Sequence, residues 1–209
     1  MTKTAVRAGR REEILQAAGE LFRERGYHAI GMRELAQALE LRGSSLYAHI
    51  ASKEDLLWEL VDRAAQAFVR EAEAVPDDLP PDERLRRLIA GHLHVITTGL
   101  DHATVFFQDW VHLSPERREQ MVRRRDAYQE RFRRAIADGV EQGVFGVADV
   151  DLATLLVLSA MNFVYQWYDP AGRLSGDELA AGYAELLLDG LLARGPRDGA
   201  RRGREGSES

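Results

Sequence analysis

Apolar residues recur at intervals of three and four along almost the whole chain, and no stretch alternates apolar and polar residues as a half-buried strand would. This pattern predicts an all-α protein. The first predicted helix runs from about Arg10 to Arg25 and ends at Gly26, because glycine readily adopts the conformation that closes a helix. Its apolar face consists of Ile14, Leu15, Ala18, Leu21 and Phe22.

Two short helices and a long one are predicted next. The third helix spans about residues 44–50. Ser52 with Asp55 three residues later is typical of a capping box. In this motif a side chain accepts a hydrogen bond from a free backbone N–H at the start of a helix. It opens a fourth helix that reaches about residue 75. The buried face of the second helix consists of Met32, Leu35, Ala36 and Leu39.

Proline, glycine and capping residues mark the remaining boundaries. Pro81 is placed to begin a helix and Gly99 to end it, and Ser114 caps the start of a later one. An aspartate, at position 149 or 151, caps an apolar helix, and Ser175 with Glu178 forms a second capping box. The predicted helices after the fourth are 81–99, 101–113, 115–142, 150–168 and 175–194.

The net charge of −6 is distributed unevenly along the 209 residues. Residues 1–53, which we call the head, hold nine Lys or Arg and six Asp or Glu, a balance of +3. The remainder, which we call the body, carries −9. A basic head on an acidic body suits a protein that touches DNA at one end only.

The segment from Ile30 to Ile50, IGMRELAQALELRGSSLYAHI, is typical of two short helices joined by a tight turn. The second of these opens on small residues, so its leading end can enter the major groove of DNA, which is about 12 Å wide. QAAGELFRERGYHA precedes this segment and SKEDLLWELV follows it. Together they resemble the amino-terminal DNA-binding domain of the TetR family of bacterial transcriptional regulators.

The resemblance implies about nine helices, with a three-helix helix-turn-helix domain before a larger helical body. It also implies a cytoplasmic repressor that binds an operator on double-stranded DNA. We expect a flexible arm at 1–9, a DNA-binding domain at 10–53 with its helix-turn-helix at about 30–50, a ligand-binding and dimerisation domain at 54–194, and a disordered tail at 195–209.

The candidate DNA contacts lie on and beside the third helix. Small, polar side chains let the backbone approach DNA and bond phosphates or base edges, and the family's pattern implies phosphate-backbone contacts at the tyrosine and the lysine. The set consists of Arg42, Gly43, Ser44, Ser45, Tyr47, His49 and Lys53. The structural alternatives are a partly buried core position for Tyr47 and a plain surface position for Lys53.

Two positions depart from the family's pattern. Gly31 stands where a threonine or serine usually caps the second helix, so no hydroxyl is available there for a phosphate. Glu40 stands where the turn often has a left-handed glycine, and a residue with a Cβ costs roughly 1 kcal/mol of strain there.

A single head reads too little DNA for useful specificity, so we expect a homodimer that spans half-sites about 34–36 Å apart. The predicted interface consists of the helices at about 150–168 and 175–194, of which the first is apolar nearly all round. The two helices and their copies would form a four-helix bundle across a two-fold axis. The alternative is that they form one monomeric core.

Aromatic residues concentrate in the body and predict an effector site there. The polar candidates at 159, 162 and 166 draw a line along one helix, where they serve either a ligand or the dimer. His92 lies on an apolar face, so we expect a core histidine rather than a ligand contact. The candidate ligand contacts are Phe106, Phe107, Trp110, Arg125, Tyr128, Phe132, Ser159, Asn162, Phe163 and Gln166.

Arg125 falls on the inward stripe of its helix, between Met121 and Tyr128. A buried guanidinium needs an anion, which we expect to be either Asp109 or a phosphate of the ligand. The neighbouring arginines form a dense basic cluster that could bind the phosphates of a ligand. The alternative is a solvated face with one internal ion pair. The cluster consists of Arg117, Arg118, Arg123 and Arg124.

The segments FFQDWVHLSPERREQMVRRRDAYQERF and WYDPAGRLSGDELAAGYAELLLDGL resemble a TetR subgroup whose effectors are acyl-coenzyme A (acyl-CoA) thioesters. This resemblance implies a repressor without a cofactor, released by an acyl-CoA from fatty-acid, aromatic-acid or steroid catabolism. The alternative is an aromatic or lipophilic effector without coenzyme A.

The sequence disfavours other classes of protein. It has no cysteine, no HExxH motif, no phosphate-cradling glycine loop and no di-carboxylate helix pair, so we predict neither an enzyme nor a metal site. The most apolar run, residues 152–164, is shorter than the ~20 residues of a membrane span. An architectural DNA-binding protein would carry more positive charge than this chain does.

Overall fold

The computed structural model describes the backbone of residues 3–192 and the side chains of residues 9–192. This part of the chain folds into nine α-helices without a β-strand, which confirms the all-α prediction. The helices are α1 (Lys3–Arg25), α2 (Met32–Ala38), α3 (Gly43–Tyr47), α4 (Lys53–Glu73), α5 (Pro81–Thr98), α6 (Leu100–Asp109), α7 (Pro115–Glu141), α8 (Val150–Asn162) and α9 (Gly176–Leu191). Single 3₁₀ turns follow α1, α6 and α8, at Tyr27–Ala29, Trp110–His112 and Val164–Gln166.

Local capping begins several helices where the sequence predicts. At the start of α4, the Ser52 hydroxyl accepts a hydrogen bond from the Asp55 backbone N–H at 3.0 Å. Asp149, rather than the aspartate at 151, caps α8 in the same way. Ser175 and Glu178 form the complete capping box of α9. Each bond satisfies an N–H that the first turn of a helix leaves without a partner.

Other predicted boundaries differ from the structure. α1 begins at Lys3, so residues 3–9, predicted as a flexible arm, form its first turns, since no proline interrupts its helix-forming residues. α8 ends at Asn162 instead of near residue 168, because the backbone tightens there into a 3₁₀ turn. α9 ends at Leu191, and the tail predicted at 195–209 lies outside the described residues.

Two hydrophobic cores share the helix α4. The core of the head packs α1, α2 and α3 against the first half of α4, with Phe22 and Leu57 fully buried. The core of the body joins the second half of α4 to α5, α7, α8 and α9, with Phe68 and Phe132 inside. α4 is therefore the element through which the head is attached to the body.

The turn between α2 and α3 contains a strained residue. Glu40 has a φ of 53°, in the left-handed region, as its place in the turn predicts. The conformation lets the Leu41 N–H reach the Ala36 carbonyl at 2.8 Å and the Glu40 N–H reach the Gln37 carbonyl at 3.0 Å. These bonds close α2, and the Cβ of Glu40 is the source of the strain.

We expect Glu40→Gly to raise the free energy of unfolding by about 1 kcal/mol, because glycine adopts this φ without a Cβ clash. Urea unfolding at one fixed protein concentration measures the change. Glu40→Ala is the matched control, since it removes the same carboxylate but keeps the Cβ. Equal stability of the two variants would contradict the strain argument.

Candidate functional site

The head presents a polar face on α3. Leu46 and Ile50 are buried in the core of the head and hold the helix in place. The opposite face exposes Arg42, Gly43 and Ser44, with Ser45 and His49 partly exposed beside them. Tyr47 is 56% exposed, so it is a surface aromatic and not a core residue. The structure thus brings six of the seven predicted DNA contacts onto one outward face.

Gly43 is the first residue of α3 and is exposed. A Cβ built on Gly43 would meet no atom within 4 Å, so no contact inside the described protein requires glycine there. The same is true of Gly31, which caps α2 without a side-chain hydrogen bond. The small residues therefore leave free space in front of the helix-turn-helix, which a DNA backbone can approach.

Lys53, the seventh predicted contact, begins α4 and is partly buried. Its ammonium nitrogen lies 4.1 Å from the centre of the Tyr27 ring, a cation–π contact. Burial lowers the pKa of Lys53, and the Asp109 carboxylate acts in the opposite direction. The lysine is therefore held at the junction of head and body.

The basic cluster of α7 is largely used in ion pairs. Arg117 bonds Glu54 at 3.2 Å and Asp55 at 2.5 Å, both on the first turn of α4. The Arg117 guanidinium holds the pKa of the Asp55 carboxyl below its usual range. Arg124 pairs with Asp62, about two turns further along α4. These arginines attach α7 to α4, which the sequence did not indicate.

A cavity of about 470 Å³ lies in the body between α4, α5, α6, α7 and α8. Its wall is mostly aromatic and aliphatic, with two arginines from α7. Seven of the predicted ligand contacts line it, namely Phe106, Phe107, Trp110, Arg125, Tyr128, Ser159 and Asn162. The wall also contains Phe68, Arg124, Leu155 and Leu158, which were not predicted as ligand contacts because only the packing of the helices brings them there.

Three predicted ligand contacts lie outside the cavity. Phe132 is fully buried in the core of the body, with its ring 5.3 Å from that of Tyr128. Phe163 is on the exterior, because α8 has ended before it and the following turn points it outward. The Gln166 amide is also exposed and donates to the Tyr165 hydroxyl at 2.7 Å.

Arg125 is not buried, contrary to the expectation that it needs an internal anion. Its side chain is 59% exposed and lies 3.2 Å from the carboxylate of its neighbour Asp126. The long side chain carries the guanidinium to the rim of the cavity instead of the core of the body, although the Cα of Arg125 lies on the inward stripe. Asp109, the predicted internal partner, faces Lys53 and His112 instead.

His92 and Tyr128 form a buried polar pair in the cavity wall. His92 Nδ1 lies 3.0 Å from the Tyr128 hydroxyl, while His92 Nε2 has no partner among the described atoms. Burial lowers the pKa of His92 to about 3, so the imidazole is neutral at physiological pH. Burial also raises the pKa of the Tyr128 hydroxyl, which keeps its proton. His92 is thus buried, as a core histidine would be, but it also lines the cavity, although the sequence favoured a core histidine over a ligand contact.

One side of α8 and α9 exposes large apolar side chains. Leu152, Leu156 and Phe163 follow one another along α8 and its end, and Leu186 of α9 is 75% exposed. Single exposed leucines are common on protein surfaces, but a contiguous apolar row usually marks a contact with another protein. This row coincides with the interface predicted from the sequence.

Neither a metal-binding cluster nor a membrane-spanning helix is present among the described residues. No group of three or more His, Cys, Asp or Glu side chains is arranged to hold a metal ion. Within residues 3–192, no helix combines the length and the hydropathy required to cross a bilayer.

Comparison with known proteins agrees with this architecture. Residues 14–60 match the bacterial regulatory proteins of the tetR family, and residues 78–191 match the tetracyclin repressor-like C-terminal domain. The HTH-type transcriptional repressor KstR2 of Rhodococcus jostii is 29% identical over 193 residues, which cover 91% of this chain and 95% of KstR2.

Two solved structures share the whole fold. PfmR, a TetR family regulator from Thermus thermophilus, has a TM-score of 0.78 at 37% identity over 84% of this chain and 97% of its own. AibR, in complex with isovaleryl coenzyme A and operator DNA, has a TM-score of 0.77 at 27% identity over 86% and 98%. The relatives are regulators and not enzymes. Since both the head and the body match, this chain belongs to the TetR family of DNA-binding transcriptional regulators.

Proposed function

We propose that the protein represses transcription from an operator and that an acyl-CoA thioester releases it from the DNA. One observation carries the choice of effector, which is an aromatic cavity with Arg124 and Arg125 in its wall. An apolar slot fits an acyl group, and guanidinium groups bind phosphates with two parallel hydrogen bonds. As a regulator of bacterial DNA, the protein would act in the cytoplasm.

The arginines at the rim can exchange their partners for a phosphate. The pair of Arg125 with Asp126 is exposed, and such pairs contribute only about 0–1 kcal/mol to stability. A coenzyme A phosphate can therefore displace Asp126 at little cost. The complex of the related AibR with isovaleryl coenzyme A supports an effector of this class.

Arg124 offers a route from the effector to the head. It lines the cavity and also bonds Asp62 on α4, the helix that begins beside the DNA-binding face. A phosphate that attracts this guanidinium would weaken its ion pair with Asp62 of α4. Release of DNA by a factor of about 100 requires that the effector bind one state roughly 2.7 kcal/mol more tightly than the other.

A second candidate is an aromatic or lipophilic effector without coenzyme A. The ion pairs of Arg124 with Asp62 and of Arg125 with Asp126 favour it, because both guanidinium groups already have an anion. The aromatic wall accepts such a molecule equally well. The two candidates differ in whether the arginines contribute to effector binding.

The first experiment is a titration of the protein–operator complex, followed by fluorescence anisotropy at fixed salt, with DNA from the region upstream of the gene. Isovaleryl-, phenylacetyl-, palmitoyl- and steroid-derived CoA thioesters are compared with the matching free acids and with free coenzyme A. We expect release by one class of thioester only. Intact DNA binding without a response to any thioester would contradict the assignment and favour the second candidate.

Arg125→Ala is expected to raise the concentration of the active thioester needed for half-release by about tenfold or more, since a hydrogen bond to a charged group contributes roughly 1.5–3 kcal/mol. Arg123→Ala is the matched control, because Arg123 is an equally exposed arginine of α7 that pairs with Glu119 and does not line the cavity. Equal responses of the two variants would remove Arg125 from the site.

We also propose that the protein is a homodimer through α8 and α9. The exposed row of Leu152, Leu156, Phe163 and Leu186 supports it, because a second copy would bury the same faces across a two-fold axis. Two heads held in this way can read two half-sites, which a single short α3 cannot do with useful specificity.

Leu156→Glu is expected to raise the dissociation constant of the dimer at least tenfold, because it places an unpaired charge in an apolar interface. Sedimentation equilibrium measures the change. Val111→Glu is the control, since Val111 is an exposed apolar residue outside α8 and α9. A wild-type protein that stays monomeric at operator-binding concentrations would refute the dimer.

The outward face of α3 and the start of α4 would contact the operator. Arg42, Ser44 and Tyr47 are exposed, which supports contacts with phosphates or base edges. Lys53 contributes its charge to the phosphate backbone, and its position over Tyr27 keeps the ammonium near the face.

Lys53→Met is expected to weaken operator binding at low salt and to reduce the slope of log affinity against log salt by about 0.9 for each Lys53 in the complex. Methionine keeps an apolar stem against Tyr27. Arg70→Met is the control, because Arg70 is an exposed cation in the last turn of the same helix. An unchanged slope in Lys53→Met would exclude a phosphate contact.

A further inference from the structure

The end of α6 meets the turn that follows α1. The His112 ring stacks on the Tyr27 ring with centroids 5.6 Å apart and planes inclined by 12°. His112 Nδ1 also lies 3.1 Å from His28 Nε2, within hydrogen-bond distance. Tyr27 and His28 belong to the head, and His112 belongs to the body. We call these three residues and Asp109 the latch.

Asp109 ties the same two segments together through the backbone. Its carboxylate accepts a hydrogen bond from the Tyr27 backbone N–H and lies 3.9 Å from His112 Nε2. The residue is buried, and its Oδ2 has no partner among the described atoms. A buried carboxylate with so few partners is sensitive to small displacements, because each lost bond leaves more charge unsolvated.

Each end of the latch adjoins a functional element. On the body side, Phe106, Phe107 and Trp110 line the cavity, and Trp110 directly follows Asp109 in the chain. On the head side, the Tyr27 ring carries the ammonium group of Lys53 at 4.1 Å. A displacement of Trp110 by an effector therefore reaches Lys53 through contacts between adjacent groups.

We propose that Asp109 and His112 are positioning residues that couple the occupancy of the cavity to the placement of Tyr27 and Lys53 on the DNA-binding head. The inference rests on the proposed function for the identity of the effector. In the arrangement described, the latch is closed and Lys53 is held on Tyr27. An effector that moves the end of α6 opens the latch and lets the head change its orientation.

Two ion pairs of α1 with the body do not reach the cavity residues at the end of α6. The pair of Arg23 with Asp101 joins α1 to the start of α6, at the end remote from the cavity residues Phe107 and Trp110. The pair of Arg11 with Glu59 joins α1 to α4 and does not involve α6. The contact at the end of α6 differs from these two pairs because it joins Trp110 of the cavity wall to Tyr27 of the head.

His112→Leu tests the latch, because leucine removes the polar contacts with His28 and Asp109 while it retains much of the volume. The measured quantities are the dissociation constant of isovaleryl-CoA for the free protein, and the ratio of operator affinities without and with saturating isovaleryl-CoA. We expect the ratio to fall about tenfold while isovaleryl-CoA binding changes less than twofold. A purely structural role would change thermal stability and leave the ratio as it was.

Two further variants secure the interpretation. His28→Leu, on the head side of the latch, is expected to give the same loss of coupling. His94→Leu is the matched control, because His94 is an exposed histidine of α5 outside the latch and outside the aromatic cavity. An unchanged ratio in both latch variants would overturn the inference.

A second measurement needs operator DNA alone. Coupling between two sites is reciprocal, so through the latch we expect operator binding at the head to alter the environment of Trp110. The chain has three tryptophans, and Trp58→Phe with Trp167→Phe leaves Trp110 as the single fluorophore. We expect operator DNA to shift its emission or its quenching by acrylamide, and His112→Leu to abolish the shift.

The two measurements separate the failure of each proposal. A Trp110 response without release by any thioester would contradict the acyl-CoA assignment and support the latch. Release by a thioester with no Trp110 response, and with an unchanged ratio in His112→Leu, would support the effector and overturn the latch.

Discussion

The packing of α4 into two cores is the constraint on which the other features depend. Leu57 and Leu60 of its first half belong to the core of the head, whereas Phe68 and Ala72 of its second half belong to the core of the body. Close-packed interiors transmit a displacement and do not absorb it. Since Phe68 also lines the cavity and Lys53 begins the same helix, the effector site and the DNA-binding face share one rigid element.

Polar contacts determine the orientation of the helices that the apolar cores hold together. Burial of leucine and phenylalanine side chains supplies most of the stabilisation but does not specify an orientation. The bonds of Arg117 to Glu54 and Asp55, and of Arg124 to Asp62, fix how α7 lies along α4. Individually such partly exposed pairs stabilise little, so they can be rearranged when a ligand offers another anion. The apolar core thus attaches the head to the body, and the ion pairs set an orientation that can change.

Local chemistry explains which predictions of the sequence analysis were confirmed. A serine cap, a proline at a helix start and a left-handed turn depend on residues within four positions of one another, so Ser52, Pro81 and Glu40 behave as their neighbours dictate. The expectation of a buried Arg125 was wrong for the opposite reason. Periodicity places its Cα on the inward stripe, but the width of the groove between helices decides where a long side chain ends.

The sequence by itself determined the all-α fold, the outward face of α3 and the aromatic character of the body, because helical period, caps and composition are properties of the local chain. Only the tertiary structure decided which aromatic residues enclose the cavity, since Phe132 and Phe107 have equal hydrophobicity but different neighbours. It also brought Tyr27 beside His112, more than eighty residues apart. Contacts of that kind depend on how helices cross, and crossing angles follow from packing over the whole domain.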